Sequence, residues 1–456
     1  MAKLESYRWA VIVILSVMLL GCDALAAPTL PDVPTPMATA VPFSIESSRE
    51  LVVDPVSDVL PSLDPAIMAL VDSVSQQQLM GYVQQMQGFG TRNAFSTTEE
   101  QNFGIGATRR WLFNEFERVG NGRLQVRFDD FPMTHNGFSA AQRNVIASLP
   151  GLSDSPEVIV ITAHYDNRPP DVTDGETLAP GANDNGSGIA LLIETARLLS
   201  AYEWNHTIIF AAVSAEEQGT YGSRFLVQQL FLAGTPVMAA INYDSVGGRA
   251  GIPQNVRLFA AELLQSPSGQ LGRYYEYIGG LYLPTFPVKV IDALDREGRY
   301  GDQREFVKVG VGAIRIIESE EDPDLVNSKL DTWDRIDYEY LQQVTQLNVA
   351  VVANMAGSPV HPQPPIIDAA ISGQFHLQWL VDEAAAGYVV AFRPIEQPTL
   401  PVFRLVKAPQ AGNVMFTGLD ADQIYTVSMA AIGENGRVSY FSPEILIDPG
   451  LVSTSN

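Results

Sequence analysis

Four apolar runs constrain this chain more than anything else in it: "EVIVITA" (157–163), "TIIFAAVS" (207–214), "VMAAINYD" (237–244) and "VGAIRII" (311–317). They are too continuous for a sheet with one wet face and read as strands buried on both faces. The segments between them change period. In "TRRWLFNEFERV" (108–119), Leu112, Phe116 and Val119 share one helical face. "SGIALLIETARLLSAY" (187–202), "GSRFLVQQLF" (222–231) and "YEYLQQVTQLNVAVVANMAG" (338–357) also read as helices. Alternation of this kind predicts an α/β domain over 63–357, with a mostly parallel central sheet flanked by helices.

After a proline-rich linker, "SPVHPQPP" (358–365), the texture changes to short alternating strands. Residues 366–448 therefore predict a small all-β sandwich. The segment resembles a fibronectin type III module, with Trp379 as core tryptophan and Tyr425 as corner tyrosine. Another small β-sandwich is the alternative.

The chain opens with Lys3 and Arg8 and an apolar run, "WAVIVILSVMLL" (9–20), that is short for a membrane span. "LLGC" resembles a bacterial lipobox, so residues 1–22 read as a lipoprotein-type signal peptide with Cys22 as the lipidation site. Plain secretion with cleavage after "ALA" (24–26) is the alternative. Both readings put the protein outside the cytoplasm; the first tethers it to a membrane. Residues 23–62, with prolines at 28, 31, 34, 36 and 42, read as that tether. Cys22 is the single cysteine, so no internal disulfide is expected. The net charge of −24 argues against a nucleic-acid partner.

Polar clusters stand where the buried strands end. "TAHYDN" holds His164 and Asp166, and "PGANDNGSG" holds Asp184. "VSAEEQG" holds Glu216 and Glu217, and "INYDSVGG" holds Asp244. Ligands gather at the carboxyl ends of strands in an open parallel sheet. One imidazole with several carboxylates and no thiolate suits a catalytic zinc. Asp166 is placed to orient His164, Asp184 could bridge two ions, and the glutamate pair could divide metal binding from proton transfer. Taken singly, each cluster is an ordinary helix start or turn.

Together with "DTWDRID", these segments resemble the co-catalytic di-zinc aminopeptidase family, whose relatives include glutamate carboxypeptidase II and glutaminyl cyclase. The resemblance implies that His164 and Asp244 bind one zinc, Asp184 bridges, Glu217 binds the second, Glu216 is the general base and Asp166 supports His164. It implies hydrolysis of N-terminal peptide bonds by zinc-activated water, with peptides or proteins as substrates.

The family's remaining ligand to the second zinc is a histidine four residues before the aspartate of "DT". That aspartate is Asp331, and Asn327 stands in the histidine's place. The second site could hold zinc weakly through Asn327, hold another ion, or stay empty. The cyclase activity is disfavoured, because its single site uses the histidine lost here. A non-catalytic peptide-binding or adhesion protein on a degenerate scaffold is the competing reading; retention of Glu216 beside Glu217 argues for the enzyme.

Overall fold

The protein is described from a computed structural model, which covers residues 52–53 and 60–448 apart from 372–373, 409–410 and 421. Cys22, the segment read as a signal peptide and nearly all of the segment read as a tether lie outside the described residues. Within the latter, Val52–Val53 (β1) forms a two-residue strand. Helices α1 (Pro65–Asp72), α2 (Gln76–Gly88) and α3 (Gly104–Gly120) follow, then a hairpin of β2 (Gln125–His135) and β3 (Phe138–Leu149). The alternating core comprises β4 (Val158–His164), α4 (Gly188–Leu199), β5 (Thr207–Val213), α5 (Tyr221–Leu232) and β6 (Val237–Tyr243). It continues through β7 (Val256–Ala260), α6 (Pro267–Tyr282), β8 (Val288–Asp292), α7 (Gln303–Val307), β9 (Ala313–Glu318) and α8 (Tyr338–Gly357).

These strands make one eight-stranded sheet in the order β2-β3-β5-β4-β6-β9-β7-β8. The centre, β5-β4-β6-β9, is parallel throughout. β4 is buried at every residue, and β5 and β6 at all but the first. The four apolar runs thus occupy the middle of the sheet. On one face, Leu226, Val227 and Leu230 of α5 and Phe306 of α7 pack onto Ile146, Val160, Ile209 and Ala211. The other face is covered by helices including α4, which is buried along its whole length.

The antiparallel edges are an addition to the expectation. β2 and β3 meet through a two-residue turn at Asn136 and Gly137, with φ of 50° and 84°. Asn-Gly with both residues left-handed is the type I′ turn that matches strand twist. β7 runs antiparallel to β9. The aromatic residues of 258–284 lie mainly in the core, with Tyr274, Tyr275 and Tyr282 buried on α6.

The described residues of 366–448, joined by β1, form two four-stranded sheets. One contains β1, β10 (Ile366–Ile371), β11 (Gln374–Gln378) and β14 (Asn413–Phe416). The other contains β12 (Gly387–Pro394), β13 (Arg404–Lys407), β15 (Tyr425–Ile432) and β16 (Ile445–Ile447). Phe375, Leu377, Trp379, Tyr388 and Tyr425 share their core. The Tyr425 hydroxyl accepts a hydrogen bond from the Asp420 amide at 3.3 Å. Val52 and Val53 pair with Val414 and Met415, so part of the segment read as a free tether is a strand.

Buried ion pairs dock this module. Glu444 receives Arg273 of α6 at 2.8 Å and Arg393 of β12 at 2.7 Å, and both guanidinium groups are buried. Arg437 reaches Asp64 at 2.6 Å, and the Tyr274 hydroxyl donates to the Val438 carbonyl. Removing one partner of a buried pair leaves an uncompensated charge. Glu444→Ala is therefore expected to lower stability by about 3–5 kcal/mol in urea unfolding. A loss under about 1 kcal/mol would mean that water reaches both arginines.

Candidate metal centre

β5, β4 and β6 are neighbours, so their carboxyl ends bring three loops together. His164 is the last residue of β4, and Asp244 follows the last residue of β6. Asp184 lies in the tight turn that enters α4. That turn needs its glycine: a Cβ on Gly188 would stand 2.3 Å from Asn185 Oδ1 and 2.6 Å from the Tyr243 carbonyl. Ala215 and Ser245, next to Glu216 and Asp244, take left-handed φ values of 58° and 59°. Such conformations in residues other than glycine are held by their surroundings and concentrate at working sites.

His164 Nε2 stands 3.4 Å from Asp184 Oδ1 and 3.5 Å from Asp244 Oδ1. These distances exceed good hydrogen bonds, and Nε2 has no hydrogen-bond partner. The three donor atoms lie within 4.8 Å of one another. Zinc bonds of roughly 2.1 Å at tetrahedral angles put donor atoms about 3.4 Å apart. An orphaned buried nitrogen facing two carboxylate oxygens at that spacing fits a zinc ion.

Electrostatics point the same way. Burial opposes charge on His164, but Asp244, Asp166 and Asp184 outweigh it and raise the ring's pKa well above its ordinary value. Burial would likewise raise Asp244, yet Arg315 and His164 hold its carboxyl far below the usual carboxylate range. Arg315 Nη2 lies 2.8 Å from Asp244 Oδ2, and its Nη1 lies 2.7 Å from Asp295. One oxygen of Asp244 is thus committed to Arg315, and the other faces His164.

Asp166 takes a different position from the one expected. Its carboxylate lies 3.7 Å from His164 Nδ1, too far for a good hydrogen bond, whereas its backbone oxygen lies 3.1 Å from that nitrogen. The carboxylate instead accepts the amides of Glu216 and Glu217 at 3.1 and 3.2 Å. Asp166 therefore positions the glutamate loop, and its carbonyl positions the imidazole. Glu216 keeps a partial opening to solvent. It lies deep nonetheless, and burial raises its pKa well above the ordinary value; Asp302, Asp244 and Glu217 push the same way against His164.

Glu217 and Asn327 are not part of the three-donor cluster. Both engage Arg168, whose Nε lies 2.8 Å from Glu217 Oε2. Burial and Asp184 raise the Glu217 pKa to about 8, against the pull of Arg168 and His164. Gln303 sits buried under the site, where its oxygen accepts from Asn242 Nδ2 at 3.2 Å.

Several contacts that matter here were not expected from sequence. Asp331 accepts the amides of Asn183 and Asp184 at 2.7 and 2.9 Å and so anchors the Asp184 turn. Buried Arg92 donates to the carbonyls of Tyr165, Met86, Pro180 and Gly181, tying two loops together. Asp302 is buried nearby, and desolvation pushes its pKa to about 7. Arg315 did leave a signal: an arginine inside an apolar strand run needs a buried anion. Arg168, one residue past "HYDN", left none.

Fold and site together define a metal-dependent hydrolase on an open α/β sheet. The model of Peptidase family M28 matches residues 144–352. A probable zinc metalloprotease of Pyricularia oryzae is 32% identical over 386 residues, spanning 74% of this chain and 76% of its own. The chain belongs to peptidase family M28 and is a zinc metallopeptidase. Among solved structures, the LapA aminopeptidase of Legionella pneumophila matches with a TM-score of 0.52 at 20% identity, over 65% of this chain and 77% of that one. Glutaminyl cyclase of Porphyromonas gingivalis matches at 0.50 and 21% identity, over 61% and 98%. At these identities the likeness is one of fold.

Asp331→Ala would free the Asn183 and Asp184 amides and loosen the turn that aims Asp184. Zinc affinity is expected to fall roughly 10–100-fold, as for other residues that orient a ligand. Competition with a chromophoric chelator measures it, and unchanged affinity in a folded variant would show that the turn holds itself.

Proposed function

We propose that this chain is an aminopeptidase that works outside the cytoplasm. The observation that carries the chemistry is the spacing of His164 Nε2 with Asp184 and Asp244, which suits one tetrahedral ion, beside Glu216 on a loop fixed by Asp166. His164, Asp184 and Asp244 would hold zinc. When bound, zinc supplies Lewis-acid polarisation of water and of the scissile carbonyl.

Glu216 acts on the proton. Its carboxylate accepts one from the attacking water as the new C–O bond forms, and delivers it to the leaving nitrogen as the C–N bond breaks. Its raised pKa suits both halves of that exchange. Arg315 keeps Asp244 ionised, and Asp166 keeps Glu216 on its loop.

A free amino terminus is the feature that would make the substrate an aminopeptidase's. A cleft beside Asp184 is lined by Glu318, Asp322, Leu325, Val326 and Ile336, together with Arg249 and Arg335. Its apolar side chains suit an apolar substrate residue, and the carboxylates among its mixed charges offer acceptors for an ammonium group. Amino-acid anilides should be cleaved, and their N-acetylated forms should not. Glu216→Gln should lower kcat by about 10²–10⁴-fold while zinc content stays unchanged. Equal turnover of acetylated and free substrates would remove the aminopeptidase reading; zinc loss in the variant would make Glu216 a ligand.

The location rests on the lipobox-like "LLGC" with Cys22 and on the proline-rich segment after it. Cys22→Ala should move the protein from the membrane to the soluble fraction, as membrane fractionation would reveal. Retention of the variant in the membrane would end the lipid-anchor reading. For residues 366–448 the fibronectin type III reading is kept on the strength of Trp379 and Tyr425.

A further inference from the structure

Both oxygens of Glu217 are already engaged by neighbouring side chains. Its Oε2 accepts from Arg168 Nε at 2.8 Å. Its Oε1 accepts from the Asn327 amide nitrogen at 2.8 Å, and the Asn327 oxygen accepts from Arg168 Nη2 at 3.1 Å. The orientation of the Asn327 carboxamide is the one that satisfies both neighbours. Three side chains thus close a ring in which each is bonded to the other two. Arg168 Nη1 turns toward the carbonyls of Pro169 and Pro170 at 3.4 and 3.3 Å. The Glu217 side chain is only 8% exposed, and that of Arg168 22%.

The residues of a second zinc site do not fit a second zinc. A ligand set needs lone pairs that point at one empty place. Here the carboxylate is spent on a guanidinium, and the carboxamide nitrogen offers protons. A guanidinium carries only donors and offers a metal ion no lone pair, so it cannot act as a ligand. Its planar fork serves two neighbours at fixed angles, Glu217 through Nε and the Asn327 oxygen through Nη2.

We propose that the Arg168 guanidinium is the resident cation of the second position, and that the chain binds one zinc per molecule, at His164, Asp184 and Asp244. Arg168 is a positioning residue: it fixes Glu217, and Asn327 completes the ring because a carboxamide can donate to the glutamate and accept from the arginine together. A histidine at 327 could not serve both partners with one side of its ring. This inference rests on the zinc-peptidase reading of the first site.

The test is zinc stoichiometry of the full chain. Protein is loaded with excess zinc, desalted, and measured by elemental analysis and native mass spectrometry. One zinc per chain is expected for the native protein and for Asn327→His alone, since Arg168 still occupies the place. Arg168→Ala combined with Asn327→His should retain two. Two ions on the native protein would overturn the proposal. A folded double variant that still holds one would overturn the role of Arg168. No zinc on the native protein would instead remove the metal reading of the first site. Circular dichroism confirms that the double variant is folded, and the native stoichiometry decides the matter if it is not.

Discussion

Everything at the strand tips answers one electrostatic problem. The sheet carries several carboxylates below the surface, and an unpaired buried ion costs several kcal/mol. Most are answered individually. Asp244 gives one oxygen to Arg315, and Glu217 gives both to Arg168 and Asn327. Asp166 and Asp331 each accept two backbone amides. What these pairings leave over includes the Asp302 carboxylate and the face shared by His164 Nε2, Asp184 Oδ1 and Asp244 Oδ1. That face is short of positive charge by construction, and it is also where the donor spacing matches a tetrahedral ion. Charge balance and geometry select the same point.

The partners that supply this balance also hold the loops in shape. Asp331 comes from a segment far along the chain, yet it grips the turn that presents Asp184. Arg92, ahead of the sheet in sequence, grips the far side of that turn through the Pro180 and Gly181 carbonyls. Irregular backbone cannot satisfy its own polar groups, so buried side chains do it instead. The β-sandwich acts at a distance from this machinery. Its buried pairs run to Arg273 on α6 and to Asp64 at the start of α1. Those contacts cover helices rather than strand tips, which is what a supporting module would do.

How much of this could be read from sequence follows from physical range. The central strands were legible because burial on both faces forces unbroken apolar runs, and "EVIVITA" and "TIIFAAVS" can serve little else. His164, Asp184 and Asp244 were legible because each directly follows or ends such a strand, or enters a glycine-rich turn. The edge hairpin was harder, since β2 alternates weakly and only Asn136-Gly137 marks its turn. The role of the Asp166 carboxylate was misjudged, because two residues of spacing say nothing about which oxygen faces the ring. Arg168 was invisible, because its partners lie 49 residues away at Glu217 and farther still at Asn327. Long-range ion pairs leave no local pattern.

That last pairing changes what the asparagine at 327 means. Taken alone, Asn327 is a weakened ligand, and the second position is a damaged metal site. Taken with Arg168, it is one corner of a satisfied ring, and the position is rebuilt around a different cation. The exchange is not neutral. A guanidinium supplies fixed charge, but it has no exchangeable coordination position and cannot acidify water as a metal does. Chemistry must therefore pass through the His164, Asp184 and Asp244 site with Glu216 beside it. An arginine also holds its place without equilibrating with free metal, so the surroundings of Glu217 no longer depend on zinc supply. Only the first position then couples activity to the metal.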